Sequence, residues 1–524
     1  MTAHVGRVAR NTLANTVQFG VSFAIQLVLI PLIIGAVGQA EYGLWALAFS
    51  VLGFLTLLDF GLAPGVVKSV AEATANGDHE RRNRMLSTIA FVYLGLALLA
   101  ALVVAGLSLG YGPMLDVPVD ARGRAVTIFL ILGARTWLIV LPFGLFRGVL
   151  FGAQRVVLIS AVQIASSLGL AVGTWLVLRQ GHGLVAVAVV NLALLAVEHL
   201  AYVVTAYRVV PHLRLSPRLF DRALLREASE FGAFQLIVSL SALVLLRTDN
   251  ILVQIFLSLS AVALYSVPLK VAEYSVLLLK PLVNNLTPVA AQMGATGDAD
   301  GVRALVVNGA RVALLPAALL AGGAWAFGRE ALVLWVGPDF APAGPVLVVL
   351  LTAIALSMPQ IVVSGVFTMT GRHRFTAAAA VAGVTVNLVA SVVLVHPLGL
   401  VGVALGTLAS AVLVDTVGVL LAASRLVGVS YPALLRRIYW PALVAALVQV
   451  AVSLGLKSLW PPSNLLELVL EAVPGGLAAL VVFGGVFLEP AERAFLARRR
   501  ASRPPGDEGG HPDAQLTLPP KGQE

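Results

Sequence analysis

Uncharged apolar stretches of about twenty residues recur along nearly the whole chain, and nothing else in the sequence restricts its fold as much. Residues 85–115, 156–178 and 375–414 hold no Asp, Glu, Lys or Arg. One α-helix crosses the ~30 Å hydrocarbon core of a bilayer in about 20 residues. Inside lipid the backbone must satisfy its own hydrogen bonds, so an apolar run of that length is a helix. The chain of 524 residues is 59% hydrophobic and 12% charged, where a soluble chain carries about 25% charge. Too little polar surface remains to coat a globule in water. The fold class is therefore all-α membrane, with about fourteen transmembrane helices.

The spans fall at 12–36, 43–67, 86–109, 125–146, 156–178, 184–206, 230–256, 261–290, 304–326, 343–369, 375–395, 399–423, 438–458 and 465–488. Arg7 and Arg10 before the first run give it the outline of a signal peptide. The run is longer than the 7–15 residue signal core, and similar spans follow, so it reads as the first crossing. Lys and Arg set the orientation. Of the 35, 25 fall on one side of this map, five on the other and five inside spans. Both termini are expected in the cytoplasm, and the protein in the cytoplasmic (plasma) membrane. The same asymmetry accounts for a net charge of +9 without nucleic acid as a partner.

Residues 207–229 form the longest and most basic connection, a cytoplasmic linker with six spans before it and eight after. A weak internal repeat matches these parts. Phe19-Gly20, Tyr42 and Gly77-Asp78 in the first correspond to Phe231-Gly232, Tyr265 and Gly297-Asp298 in the second. The expected organisation is 1–206, linker 207–229, 230–424, two additional helices in 425–490, and a Pro- and Gly-rich tail at 491–524 with the composition of disorder.

Ionisable groups at bilayer depth cost roughly 2.5–3.5 kcal/mol each, yet ten lie there: Arg135, Arg247, Lys270, Lys280 and Arg311, with Asp59, Glu198, Asp249, Glu273 and Asp415. They must pair internally or line a wet cavity. Neutral polar residues are also aligned. Asn11, Asn15, Gln18, Ser22 and Gln26 fall within about 80° of arc on the first span. Such a stripe is either interhelical hydrogen-bonding glue or a cavity wall, and five groups in a row favour the wall. Lys270, Glu273, Tyr274, Lys280 and Asn284 lie within about 120° on the eighth span, which Pro268, Pro281 and Pro288 should bend. Lys270 and Glu273, three apart, can pair. Arg247, Asn250 and Gln254 share a face of the seventh span, with Asp249 directed elsewhere. Asp59 and Arg135 are candidates to pair across the first bundle.

Several chemistries are excluded or unsupported. Cys is 0, so disulfides and thiolate sites are ruled out. There is no HExxH, GxxxxGK[ST] or GxSxG pattern, and no loop large enough for a catalytic domain. The chain reads as a non-enzyme without a cofactor. An integral-membrane glycosyltransferase is the minor alternative.

The first eighty residues carry the most specific signal: RNTLANTVQFG, the turn Gly38-Gln39-Ala40-Glu41-Tyr42-Gly43, and a helix ending in LLDFGL and Lys68. With Arg247, Asp249, Tyr265, Lys270 and Glu273 in the second half, this resembles oligosaccharide flippases of the Wzx type, in the multidrug, oligosaccharidyl-lipid and polysaccharide exporter superfamily. The resemblance implies two six-helix lobes around a central cavity that opens alternately to each side, plus two C-terminal helices. It implies a cargo of polyprenyl-pyrophosphate-linked glycan moved outward, with membrane lipid and polysaccharide assembly proteins as partners. A pyrophosphate in a low-dielectric cavity needs fixed cations, and Arg135, Arg247, Lys270, Lys280 and Arg311 are the candidates. Asn15, Gln18, Ser22, Gln26, Asn250, Gln254 and Asn284 would line the cavity and meet the sugar. Asp59, Asp249, Glu273 and Asp415 are candidates for a coupling proton or sodium ion. Related exporters carry the lipid-linked peptidoglycan precursor or cationic drugs, and both stay open as alternative cargoes.

Overall fold

In the computed structural model the described residues are 2–59, 62–114, 117–119, 121–284, 292–293, 296, 298–369 and 371–487. All regular structure among them is helical. The helices are α1 (Thr2–Val37), α2 (Gln39–Asp59), α3 (Leu62–Asn76), α4 (His79–Met114), α5 (Arg122–Gly152), α6 (Val156–Arg179) and α7 (Leu184–Val209). After a connection come α8 (Arg222–Phe256), α9 (Leu259–Asn284), α10 (Ala299–Val336), α11 (Gly344–Met369), α12 (373–398), α13 (400–427), α14 (Tyr431–Leu459) and α15 (Leu465–Phe487).

Twelve stretches among the described residues are long and apolar enough to cross a membrane, against an expected fourteen. Two elements bear on the difference. Arg374–Val427 counts as one stretch of 54 residues, but Gly399 (φ 56, ψ −131) breaks its helical backbone. A straight helix of that length would run ~80 Å, far beyond a bilayer core, and the break makes α12 and α13 two helices. The 35-residue α8 is the other; its side chains at 226–239 lie outside the described residues.

The expected second span, 43–67, is corrected. α2 ends in a tight 3₁₀ turn at Phe54–Asp59, and α3 is a separate helix. α3 buries Leu62, Val66, Val70 and Ala73, the i, i+4 stripe of one face. Its opposite face carries the exposed ion pair Lys68–Glu72 at 3.7 Å. Such a helix suits a membrane surface rather than its interior.

The linker is shorter than expected, because α8 starts at Arg222 on an Asp221 cap that accepts from the Ala223 N–H at 2.9 Å. It is also held in place. Arg82, 1% exposed, donates through Nη2 to the Pro211 carbonyl at 2.9 Å. Asn83 donates to the His212 carbonyl at 2.8 Å, while Ser87 and Thr88 accept from the Ser216 and Asp221 N–H groups at 3.1 and 2.9 Å. The first turns of α4 therefore clamp the whole connection.

One pair of positions in the proposed repeat, Asp78 and Asp298, caps the helix that follows it. Asp78 accepts from the N–H three residues on, of Arg81, at 2.9 Å; Asp298 does the same with Gly301 at 2.8 Å. Gly297 lies outside the described residues. The halves meet along α2, which packs on α8 and α9. A Cβ at Gly43 would sit 1.9 Å from the Leu259 carbonyl oxygen, so only glycine permits this backbone approach. A second contact crosses between the halves through α1. Pro31 has no N–H for the Leu27 carbonyl four residues back. Trp335 of α10 supplies the missing donor, Nε1 to oxygen at 2.7 Å.

Candidate functional site

Three polar regions stand out among the described residues of the apolar interior. The first is a cavity of about 210 Å³ between the halves, walled by α1, α2, α6 and α7 on one side and α8 and α9 on the other. Arg247 and Lys270 line it, and Glu273 lies between them. Lys270 Nζ is 2.6 Å from Glu273 Oε2, and Arg247 Nη1 is 3.4 Å from Oε1. Two cations share one carboxylate, which leaves the trio with one net positive charge. All three are partly exposed to the cavity, at 25%, 33% and 17% for Arg247, Lys270 and Glu273. Arg247 lies nine residues before the end of α8 and Lys270 eleven after the start of α9, so both sit ~14–17 Å along their helices from the α8–α9 connection. Gln26, Asn191, Thr174 and Asn250 add amides and a hydroxyl, and Tyr42, Trp45, Phe49 and Tyr274 add aromatic surface. Asn250 Nδ2 donates to Ser50 Oγ across the halves at 2.9 Å.

The second region is a cavity of about 580 Å³ inside the first half. Arg135, Arg147, Asp59, Glu198, His199 and Gln163 line it. Asp59 accepts from the Tyr93 hydroxyl, and Glu198 accepts from Tyr202 at 2.9 Å. Arg135 lies over the Phe49 ring, 5.0 Å from its centroid. It opens a π-helical turn, Arg135–Val140, a local widening often found at functional sites. Asp59 and Arg135, expected to pair, line the same cavity, but among the described residues Asp59 engages Tyr93 and Arg135 stacks on Phe49 instead of forming an ion pair with each other.

The third region is a buried cluster where α8, α9, α12 and α13 meet. Asp249, 1% exposed, accepts through Oδ2 from the Tyr265 hydroxyl at 2.6 Å and from Thr407 at 3.3 Å. Thr407 accepts in turn from Asn387 Nδ2 at 3.0 Å, and Ser391 donates to the Val403 carbonyl at 3.1 Å. The break at Gly399 folds α13 back on α12 and so brings these residues together. Asp249 Oδ1 and Asn387 Oδ1 are buried acceptors without a hydrogen-bond donor among the described residues. Buried oxygens in that condition call for an explanation such as an ion.

The residues singled out from the sequence are distributed over these regions and beyond them. Arg247, Lys270, Glu273, Gln26 and Asn250 gather in the cavity between the halves. Arg135 and Asp59 line the second cavity. Arg311 is buried elsewhere, donating to the Phe487 carbonyl at 3.3 Å and so tying α10 to α15. Lys280 is exposed near the end of α9. Asp415 accepts from Ser357 Oγ at 2.6 Å. Gln18 donates to Ser22, which shares a hydrogen bond with Ser167 of α6, so this part of the α1 stripe joins helices. Asn15 is exposed and Gln254 buried. The side chain of Asn284 lies outside the described residues.

Comparison with known proteins agrees with this architecture. Residues 8–293 match the polysaccharide biosynthesis protein family. Over 445 residues the chain is 24% identical to the uncharacterized membrane protein EpsK of Bacillus subtilis (strain 168), covering 82% of this chain and 86% of that protein. The fold is similar to an inward-facing multidrug resistance MATE family transporter of the MOP superfamily: TM-score 0.69, 15% identity, 80% of this chain and 94% of the other. It is likewise similar to the lipid II flippase MurJ in an inward closed conformation: TM-score 0.66, 13% identity, 94% of this chain and all of the other. The resemblance to oligosaccharide flippases read from residues 5–78 agrees with the family that was matched. The chain is a member of the polysaccharide biosynthesis protein family, built on the fold of membrane transporters and flippases.

Proposed function

We propose that the protein flips polyprenyl-pyrophosphate-linked oligosaccharide or polysaccharide precursors across the plasma membrane by alternating access. The observation that carries this reading is the pair Arg247 and Lys270 in a cavity between the halves that is rich in amides. A pyrophosphate loses its hydration there and gains two fixed cations in a medium of reduced dielectric. A cationic drug would meet net positive charge instead. An apolar groove of about 470 Å³ between α10, α11 and α14, lined by residues such as Trp325, Leu443 and Leu447, suits a polyprenyl chain.

With both termini in the cytoplasm, the Gly43–Leu259 and Trp335–Leu27 contacts fall at the outer side. The halves are then closed outward, the state that loads cargo from the cytoplasmic leaflet. Asp249 is the preferred site of a coupling cation or proton among the four carboxylate candidates. Its Oδ1 and that of Asn387 retain acceptor capacity, while Glu273 already faces two cations.

The test is a flipping assay with purified protein in liposomes and a fluorescent polyprenyl-pyrophosphate oligosaccharide. Protein-dependent protection of the label, lost in the Arg247→Ala, Lys270→Ala double variant, is the expected result. Full transport by that variant at normal expression would overturn the site. Transport of lipid II in place of the glycan lipid would move the assignment to the peptidoglycan precursor.

A further inference from the structure

The second cavity has a composition of its own. Its charged lining balances, with Arg135 and Arg147 against Asp59 and Glu198. An anion such as pyrophosphate would meet two carboxylates there, and a cation would meet two guanidinium groups. Donors and acceptors are instead interleaved: Arg135 and Arg147 donate, Asp59 and Glu198 accept, and Gln163, Thr56 and Thr136 do both. Tyr93 and Tyr202 each engage one oxygen of a carboxylate, which leaves acceptor capacity on Asp59 and Glu198. Arg135 Nε is buried without a hydrogen-bond partner among the described residues. Phe49 and Tyr93 add flat apolar surface. The ligand class that matches this mixture is neutral and polyhydroxylated, because a sugar hydroxyl both donates and accepts and the C–H face of a sugar ring packs on an aromatic one.

The second cavity also adjoins the first. Phe49 lines both. Gly53 lines the second, and a Cβ on it would lie 3.1 Å from Nε of Arg247, which lines the first. One layer of side chain therefore separates the cationic cavity from the neutral one. At about 580 Å³ the neutral cavity is nearly three times larger than its neighbour.

We infer that the cavity of the first half is a glycan compartment: it receives the first sugars of the cargo while Arg247 and Lys270 hold the pyrophosphate next door. This rests on the function proposed above and names a separate binding site within it. Arg135, expected from the sequence to contact phosphate, is here a sugar ligand, with Gln163 and Thr136 beside it.

The experiment measures binding to purified full-length protein in nanodiscs. Two probes are used, polyprenyl pyrophosphate carrying a neutral oligosaccharide and the same lipid without sugar. The wild type is expected to bind the glycosylated lipid at least tenfold more tightly. Gln163→Ala and Thr136→Val should bring that ratio toward one and leave the affinity for the bare lipid within about twofold. Gly144→Leu is a steric plug at the same wall. A Cβ at Gly144 would meet one atom within 4 Å, Val140 Cγ1 at 4.0 Å. This variant should also erase the sugar preference. A ratio unchanged in all three variants, or equal losses for both lipids, would overturn the compartment. Arg247→Gln reports separately on the parent reading: bare-lipid binding that ignores it would remove the pyrophosphate site, and the compartment with it.

Discussion

Glu273 contacts both of the cations proposed to hold the cargo's pyrophosphate, and so is placed as an internal counter-ion. It keeps an empty carrier from holding two unpaired charges in a low-dielectric cavity, where each would cost several kcal/mol. Neutralising it should release Arg247 and Lys270 to the ligand. Glu273→Gln is expected to bind inorganic pyrophosphate about tenfold more tightly, or ~1.4 kcal/mol, as read by calorimetry. Weaker binding would show that Glu273 instead positions the two bases. In the buried cluster, Asp249→Asn should remove the dependence of flipping on an imposed ion gradient while leaving downhill exchange of cargo. Persistence of the gradient effect would exclude this carboxylate as the coupling site. Arg247, Lys270 and Glu273 were legible in the sequence because a charge in an apolar span stands out. Asn387 and Thr407 were not, since uncharged polar groups are common between membrane helices, and their meeting with Asp249 and Tyr265 depends on the backbone break at Gly399. The sequence could not tell that Lys280 and Arg311 point away from the cavity, because facing depends on which helix packs on which.

Helix boundaries were mostly legible from runs of apolar residues, and the exceptions share a cause. α3 was merged with α2 because both are apolar enough to continue one run; its amphipathic face separates them only once the turn at Phe54–Asp59 is seen. The π-helical turns at Arg135–Val140 and Ala411–Val419 shift the register of α5 and α13, so a fixed 3.6-residue period misplaces the faces beyond them. Two contacts between elements lend themselves to direct tests. The bond from Trp335 to the Leu27 carbonyl satisfies an acceptor that Pro31 leaves open. Trp335→Phe removes a hydrogen bond worth ~1 kcal/mol, which should raise the outward-open population about fivefold. Because the chain has no native cysteine, a single Gln26→Cys reporter can read this as faster labelling by an impermeant maleimide added outside. Gly43→Val should act more strongly, because its Cβ would overlap the backbone of Leu259. Unchanged labelling in both variants would show that these contacts do not hold the closed state.

On the scale of the whole molecule, polar groups lie between and within two halves whose remaining interior is apolar. The proposed alternating access would then require little more than one half rocking against the other, with α2 as the rolling surface. The conformational change should leave the buried cores of each half intact. Hydrogen exchange in nanodiscs is expected to show cargo-dependent protection concentrated in α1, α2, α8 and α9, with α4 and α11 unaffected; uniform change across all helices would contradict rigid halves.

The clamp on the linker has a consequence for how the protein could be assembled. Arg82 and Asn83 hold Pro211 and His212, while Ser87 and Thr88 hold Ser216 and Asp221. The exposed Arg214 lies between the two anchor points. A polypeptide interrupted there would keep both stubs on the same α4 surface, with α2 still embedded between α8 and α9. The peptide bond is then a convenience of synthesis rather than a mechanical necessity, and fragments 1–214 and 215–524 made as separate chains should find each other in the membrane and work as one transporter.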